Sequence, residues 1–219
     1  MQENFFVLDT IPLKVTLKNV LAQLGYPQGP RLSPSLQEKV KLQMTETVQL
    51  VEPKGAYLKL EGEKQKGFEL FSGVDGIVLA LATIGGAVER RAGQLISTDQ
   101  GAAGLIVDAI GTVAAEQTAD FLERKIRQDF TNLGWNVSRR YAPGYCGWKI
   151  EAQRDIFNCL PDTLGVKLTG GCLMIPEKSL TFACLLSRTG DFSMIKVKDC
   201  RQCNQQACSY RLQRYEAEL

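Results

Sequence analysis

Histidine is absent from all 219 residues of this chain. That removes the commonest general base and the commonest nitrogen ligand for metals, and with them every Ser-His or Cys-His hydrolase. An excess of one charge is lacking too. The 26 Lys and Arg against 24 Asp and Glu leave a net charge of +2, spread along the chain, which is no footprint for DNA or RNA. The longest apolar run, about Gly76 to Val88, falls short of the ~20 residues a membrane span needs. The start, MQENFFVLDTIPLKV, has no basic segment followed by an apolar one, so it does not read as an export signal. No internal repeat or low-complexity block is visible. The cysteines number seven, an odd count, and Cys146, Cys159, Cys172 and Cys184 are scattered through apolar or turn contexts rather than set in a disulfide framework. The expectation is a soluble, cytoplasmic protein with neither a nucleic-acid nor a membrane partner.

What is present is enough apolar side chain, 44% of residues, to bury a core in one or two domains. Val15, Leu17, Val20, Leu21 and Leu24 fall at helical spacing over residues 14–24, with Gly25 and Pro27 as a stop. Ser35 stands three residues before Glu38 as a capping box, predicting a helix to about Leu50. GAYLKLEG and GFELFSG alternate as short strands around a charged turn at Glu63 to Lys66. GIVLALATIGG is β-leaning, and AVERRAGQLIS, beyond Gly85-Gly86, reads as helix. Ala102 to about Phe130 is one long helical pattern with Leu105, Ile106, Ile110, Val113, Leu122 and Ile126 on its apolar side. Its glycines, Gly104 and Gly111, predict the close approach of another backbone or of a ligand, with helix packing the plainer reason. After Gly134 the chain extends through WNVSRR, loops through YAPGYCG, and returns to a helix from about Lys149 to Leu160 that Pro161 ends. LGVKL and LTFACLL read as strands. Helices and strands in runs, without regular βαβ alternation, predict an α+β fold.

The segment that raises a functional question is RRYAPGYCGW, residues 139–148. Pro143 fixes its own φ and pushes Ala142 into extended space, while Gly144 permits a positive φ or a close approach, so Tyr141 to Gly147 is predicted to be a rigid exposed loop. Arg140 stands at its edge. Two roles are open to it: its guanidinium can fork onto the carboxylate of a zwitterionic ligand whose flat base the loop's backbone reads, or it can pair with a nearby Asp or Glu while the loop is only a turn.

RYAPGY resembles the Arg-x-x-x-Gly-Tyr motif by which the activation domain of cobalamin-dependent methionine synthase holds S-adenosylmethionine. LTGGCLMIPEKSLTF, residues 168–182, resembles that family's Leu-Thr, Met-x-Pro and following strand; VDAIGTVAAEQTAD resembles its long helix; and GWKIEAQRDIF resembles the Gly-Trp and Gln-x-x-x-Phe pattern of small stand-alone relatives. The resemblance spans about residues 75–188. It implies a twisted, mainly antiparallel sheet with flanking helices. It also implies a role in corrinoid chemistry, in which an electron from flavodoxin or ferredoxin reduces inactive cob(II)alamin and methyl transfer from S-adenosylmethionine draws that reduction forward. Arg140 would hold the ligand's carboxylate, Ala142 and Tyr145 would offer backbone contacts to the adenine and ribose side, and Gly144 would allow close approach. Glu116 could meet the ammonium group, although a solvated helix-face carboxylate is the plainer role. Asp9 and Asp75 are both open as the family's N-terminal aspartate. With no homocysteine, folate or cobalamin domain in sight, the chain is expected to act in trans, on a corrinoid-binding protein or a truncated methionine synthase that supplies the cobalamin.

The expected division is residues 1–70 as a helical segment with the first strands, 71–198 as the activation-domain-like core, and 199–219 as a cysteine-containing tail. Cys200, Cys203 and Cys208 in that tail could bind zinc or part of an iron–sulfur cluster with a fourth ligand from elsewhere, or could be reduced thiols. Two competing functions stay open. One is a non-catalytic module that caps a corrinoid protein without binding S-adenosylmethionine. The other is a nucleotide site on ATIGGAVERR, which is disfavoured because neither G-x-G-x-x-G nor a lysine-bearing P-loop is present.

Overall fold

Two apolar periods, two for strands and 3.6 for helices, decide the architecture. The computed structural model describes residues 4–26, 33–60, 65, 67–145, 147–193 and 195. In chain order its elements are β1 (Phe5–Leu8), α1 (Leu17–Gln23), α2 (Pro34–Thr47), β2 (Lys54–Leu60), β3 (Gly76–Thr83), α3 (Ala87–Ser97), α4 (Gly101–Asn132), β4 (Asn136–Val137), α5 (Gln153–Cys159), β5 (Lys167–Leu168), β6 (Met174–Ile175) and β7 (Ser179–Ser187). Strands β1-β2-β3-β7-β4 form one antiparallel sheet in that order, and β5-β6 form a separate pair. The α+β class with an antiparallel sheet and flanking helices is as expected.

Every residue of β3 is buried, because the central strand is covered on both faces. On one face Tyr57, Val78, Ala80, Phe182 and Cys184 pack against Ala119, Leu122, Ile126 and Phe130 of α4. On the other, Leu79, Leu81, Ala183 and Leu185 meet an aromatic layer of Phe68, Phe71, Tyr141 and Trp148, closed by Ile156 of α5. Adjacent strand residues thus serve different cores, as the pleat requires. Gly104 and Gly111 let α3 lie close on α4: a Cβ at Gly104 would stand 2.6 Å from Ile96 Cγ1, and one at Gly111 would stand 2.8 Å from Val88 Cγ1. Helix packing explains these glycines. Val20 and Leu21 of α1 and Val40 of α2 cover Ile106, Ile110 and Val113 on the outer side of the same helix. Among the described residues, no helix is long and apolar enough to cross a membrane.

Four local expectations are corrected. The first helix begins at Leu17 rather than residue 14, because Thr16 caps it, accepting the Asn19 N–H at 3.3 Å. The second is capped by Ser33 rather than Ser35: Ser33 Oγ accepts the Leu36 N–H at 3.3 Å, and Pro34, with its φ preset, takes the first helical position. GFELFSG is not a strand but a 3-10 turn at Glu69–Phe71. Phe68 and Phe71, three apart, bury on the same core, and Gly67 and Gly73 reverse the chain with positive φ on either side. Finally, Met174–Ile175, read as part of a link, is a strand that pairs with the short remnant of LGVKL at Lys167–Leu168.

Candidate functional site

The arginine of RYAPGY owes its direction to an irregularity in the sheet. Val137 pairs with Leu186, Ser138 donates its N–H to Leu185 O at 2.9 Å, and the next pairing is Tyr141 with Ala183. The edge strand therefore uses three steps where β7 uses two, which is a β-bulge at Arg139-Arg140. Ser138 Oγ accepts the Leu185 N–H at 2.9 Å, so the interrupted ladder leaves no orphan there. In unbroken register Arg140 would sit opposite Ala183 and face the aromatic layer. With the bulge, Tyr141 takes that face and Arg140 turns toward α4.

There the guanidinium meets three carboxylates spaced i, i+4 and i+7 on one helix face. Arg140 Nη2 donates to Glu116 Oε2 at 2.8 Å. Nη1 lies 2.7 Å from Asp120 Oδ1, an ion pair by distance whose N–H is not aimed along a hydrogen bond. Nε is 3.7 Å from Glu123 Oε2, and the Arg140 backbone N–H donates to Glu123 Oε1 at 3.1 Å. Phe182 lies beneath, its ring centre 5.7 Å from the guanidinium carbon. Arg140 is 8% exposed against 49% for Asp120, so the carboxylates form the solvent side of the cluster. The sequence favoured Glu116 as a solvated helix-face carboxylate, whereas here it pairs with Arg140; Asp120 and Glu123 were not singled out, although their helical spacing from Glu116 was legible.

The loop beyond is braced by backbone hydrogen bonds, but it is only partly the exposed loop expected, because Tyr141 and Pro143 are buried while Gly144 and Tyr145 are exposed. Gly144 has φ +87°, a conformation that favours glycine, and its N–H donates to Trp148 O at 2.7 Å. Trp148 donates to Tyr145 O at 2.9 Å, Tyr145 donates to Ala142 O at 3.2 Å, and Pro143 is buried. Trp148 is set edge-on to Phe71 at 4.8 Å. The Ala142 and Tyr145 carbonyls both accept backbone hydrogen bonds within this turn, and Tyr145 is 52% exposed.

Beside this cluster is a cleft of about 340 Å³ lined by Pro12, Leu13, Lys14, Gln117, Asp120 and Arg124, within the size range of small-molecule sites. Its lining shares Asp120 with the arginine's partners. Asp9 is exposed on the segment that leads into Pro12. Asp75 is tied instead to the far end of β7, accepting the Arg188 N–H at 2.7 Å and donating its own to Leu186 O at 3.0 Å.

No thiolate chemistry is set up at the cluster: burial first, and then the Glu123 carboxylate, push the Cys184 thiol well above its usual range. Among the described residues there is no group of three or more metal-ligating side chains, and Cys200, Cys203 and Cys208 lie outside the described residues. The Gly85-Gly86 turn does not make a phosphate cradle. A Cβ at Gly85 would stand 3.6 Å from Glu52 Oε2, and one at Gly86 would stand 2.9 Å from Arg90 Nη1 and 3.4 Å from Pro176 Cγ, while Glu89 accepts the Glu177 N–H at 2.8 Å, so side chains of both signs and a proline ring already fill the space at the helix start. The Arg140 cluster thus sets a guanidinium fork and three carboxylates, groups complementary to both signs of charge, on one flank of α4.

No protein-family model matches the chain, and no curated protein matches it. Among solved structures, it is similar to the MetH reactivation domain bound to AdoHcy, with a TM-score of 0.62 and 14% sequence identity over 98% of this chain and 90% of that one. The fold of this chain is therefore that of the MetH reactivation domain.

Proposed function

We propose that the chain binds S-adenosylmethionine at the Arg140 flank of α4 and presents it to a corrinoid carried by a separate protein. The service rendered is reductive methylation, which restores a corrinoid methyltransferase such as a truncated methionine synthase. The observation that supports this most is a buried guanidinium, set among helix carboxylates and turned there by a bulge, next to a loop braced by backbone hydrogen bonds. Glu116 and Arg140 pair at 2.8 Å, and each can exchange the other for the opposite end of an amino-acid zwitterion, so charge stays balanced as the ligand enters. The Ala142 and Tyr145 carbonyls are offered to the base and ribose side, and Gly144 supplies the turn that brings them there. Asp9, on the segment leading into the cleft, suits the N-terminal carboxylate contact better than Asp75, whose carboxylate is committed to Arg188. The AdoHcy held by the similarly folded MetH reactivation domain agrees in ligand class.

The methyl donor and the corrinoid supply the chemistry; the chain supplies placement and exclusion of water. No side chain need carry a proton, in keeping with a sequence that has no histidine. The electron is assigned to flavodoxin or ferredoxin on the resemblance in sequence, and a zinc or iron–sulfur role for Cys200, Cys203 and Cys208 stays a proposal on their spacing alone.

One observation favours a second reading. The three carboxylates already surround Arg140 as ion-pair partners, as they would in a non-catalytic module that caps a corrinoid protein. Calorimetric titration of S-adenosylmethionine into the folded protein separates the two. Saturable heat is expected with the wild type, weakened at least about tenfold in Arg140→Lys, which keeps the charge but loses the fork. A folded wild type that gives no saturable heat selects the capping reading.

A further inference from the structure

Between β1 and α1 the chain crosses the outer side of α4 without regular secondary structure, yet it is fixed at two points. Ile11 is 2% exposed; its Cδ1 lies 3.2 Å from where a Cβ on Gly55 would stand, with Leu122 Cδ1 closer still at 3.0 Å, so the bare glycine of β2 leaves a seat that Ile11 shares with Leu122 of α4. At the second point Lys14 donates its N–H to Gln117 Oε1 at 3.1 Å, and Gln117 Nε2 donates to Lys14 O at 3.0 Å. One side-chain amide thus satisfies both backbone groups of a residue far away in sequence, as a neighbouring strand would. Pro12, Leu13 and Lys14 form one wall of the cleft described above, and Gln117, Asp120 and Arg124 form the other. Asp120 is also the ion-pair partner of Arg140.

We propose that Gln117 is a positioning residue for the ligand: by clamping Lys14 it holds the strap of residues 11–14 as a preformed wall of the binding cleft. The inference rests on the S-adenosylmethionine reading given above. Its physical basis is preorganisation. A strap already ordered in the free protein costs nothing to order when the ligand arrives, whereas an unclamped strap must be immobilised at that moment and the cost appears as lost affinity. The two hydrogen bonds are solvent-exposed, so each contributes only modestly. That is the regime in which a clamp can be lost without unfolding the domain, whose cores lie elsewhere.

The test is calorimetric titration of S-adenosylmethionine into wild type, Gln117→Leu, Gln117→Glu and Ile11→Ala, with amide hydrogen exchange followed at Lys14. Gln117→Leu removes donor and acceptor at similar volume. It is expected to bind about tenfold more weakly and to exchange faster at Lys14, with the far-ultraviolet circular dichroism unchanged. Gln117→Glu keeps an acceptor for the Lys14 N–H but sets a carboxylate against the Lys14 carbonyl, and it is expected to weaken binding too. Ile11→Ala removes the other anchor of the strap while leaving Gln117 intact; a matching loss of affinity supports the strap independently and carries the test if Gln117→Leu does not fold. Wild-type affinity in Gln117→Leu despite faster exchange at Lys14 overturns the inference and leaves the ligand reading standing. A wild type that does not bind S-adenosylmethionine overturns both.

Discussion

Arg140 and Arg188 flank the same edge of the sheet and are held in opposite ways. Arg188 is exposed. Its Nη1 donates to Leu133 O at 2.9 Å and Gly134 O at 3.0 Å, and its guanidinium lies 3.5 Å from the Trp135 ring centre. These are fixed backbone acceptors just past the carboxyl end of α4, where a cation is favoured by the helix dipole. Arg140 is buried and held by side-chain carboxylates with a cleft alongside. An arginine on carbonyls and a ring has no partner that a ligand could replace without undoing the helix end. An arginine on carboxylates has partners that a zwitterion can replace in kind. Residue type is the same at both positions, and the exchangeability of the partners separates an arginine that ends a helix from one that can bind.

The largest effect that would break this comparison is expected from Arg140→Ala. It leaves Glu116, Asp120 and Glu123 facing one another with their shared cation gone, and they are 25%, 49% and 19% exposed. A fully buried pair broken in this way costs about 3–5 kcal/mol; partial exposure brings the expected loss to about 2–3 kcal/mol. Urea unfolding should show a lower midpoint at unchanged slope. A loss under about 0.5 kcal/mol would mean that the carboxylates are not held together by the arginine, and the cluster would lose its claim to being preorganised.

A third polar contact on α4 sharpens the contrast. Tyr57 is buried and donates its hydroxyl to Asp129 on that helix. Desolvation first, and then the Asp129 carboxylate through both its hydrogen bond and its charge, push the phenol well above its ordinary value. The folded state therefore keeps a proton that the unfolded state gives up above about pH 10. The stability tied to that proton is present below pH 10 and falls as pH rises beyond it, by at most about 1.4 kcal/mol per unit. Tyr57→Phe should remove this part of the alkaline slope in unfolding experiments between pH 9 and about 11 while leaving S-adenosylmethionine binding intact, and an unchanged slope would show the hydroxyl to be already solvated.

Much of the fold was legible because its long elements obey one period each. The full burial of GIVLALAT, the span of α4 and the glycines under α3 all follow from apolar spacing and from close approach. The short elements were not, because tertiary contacts decide them. GFELFSG alternates like a strand, but Phe68 and Phe71 are both claimed by the aromatic core, and a pair three apart is reached by a turn. Ser35 matches a capping pattern, yet Pro34 sets the helix two residues earlier, with Ser33 as its cap. At the site, the rigid loop and the positive φ of Gly144 could be read from Pro143-Gly144. The bulge could not, since it is a mismatch of register between strands far apart in sequence. Without the bulge, the direction of Arg140 and its meeting with Asp120 and Glu123 had no local signal.

The smallest effect belongs to the other arginine. Arg188→Ala removes two hydrogen bonds to exposed carbonyls and a stacked ring contact, all at the solvent boundary, where water takes over much of the role. The expected cost is about 1 kcal/mol, with hydrogen exchange rising in the last turn of α4. Arg188→Lys should recover part of that, because an ammonium still complements the helix end although it stacks less well on Trp135. S-adenosylmethionine affinity should be the same in both variants as in wild type. That null result carries the weight of the comparison: if affinity fell with Arg188→Ala as it is expected to fall with Arg140→Lys, the ligand would be sensing the end of α4 rather than the carboxylates along its flank, and the distinction between the two arginines would collapse.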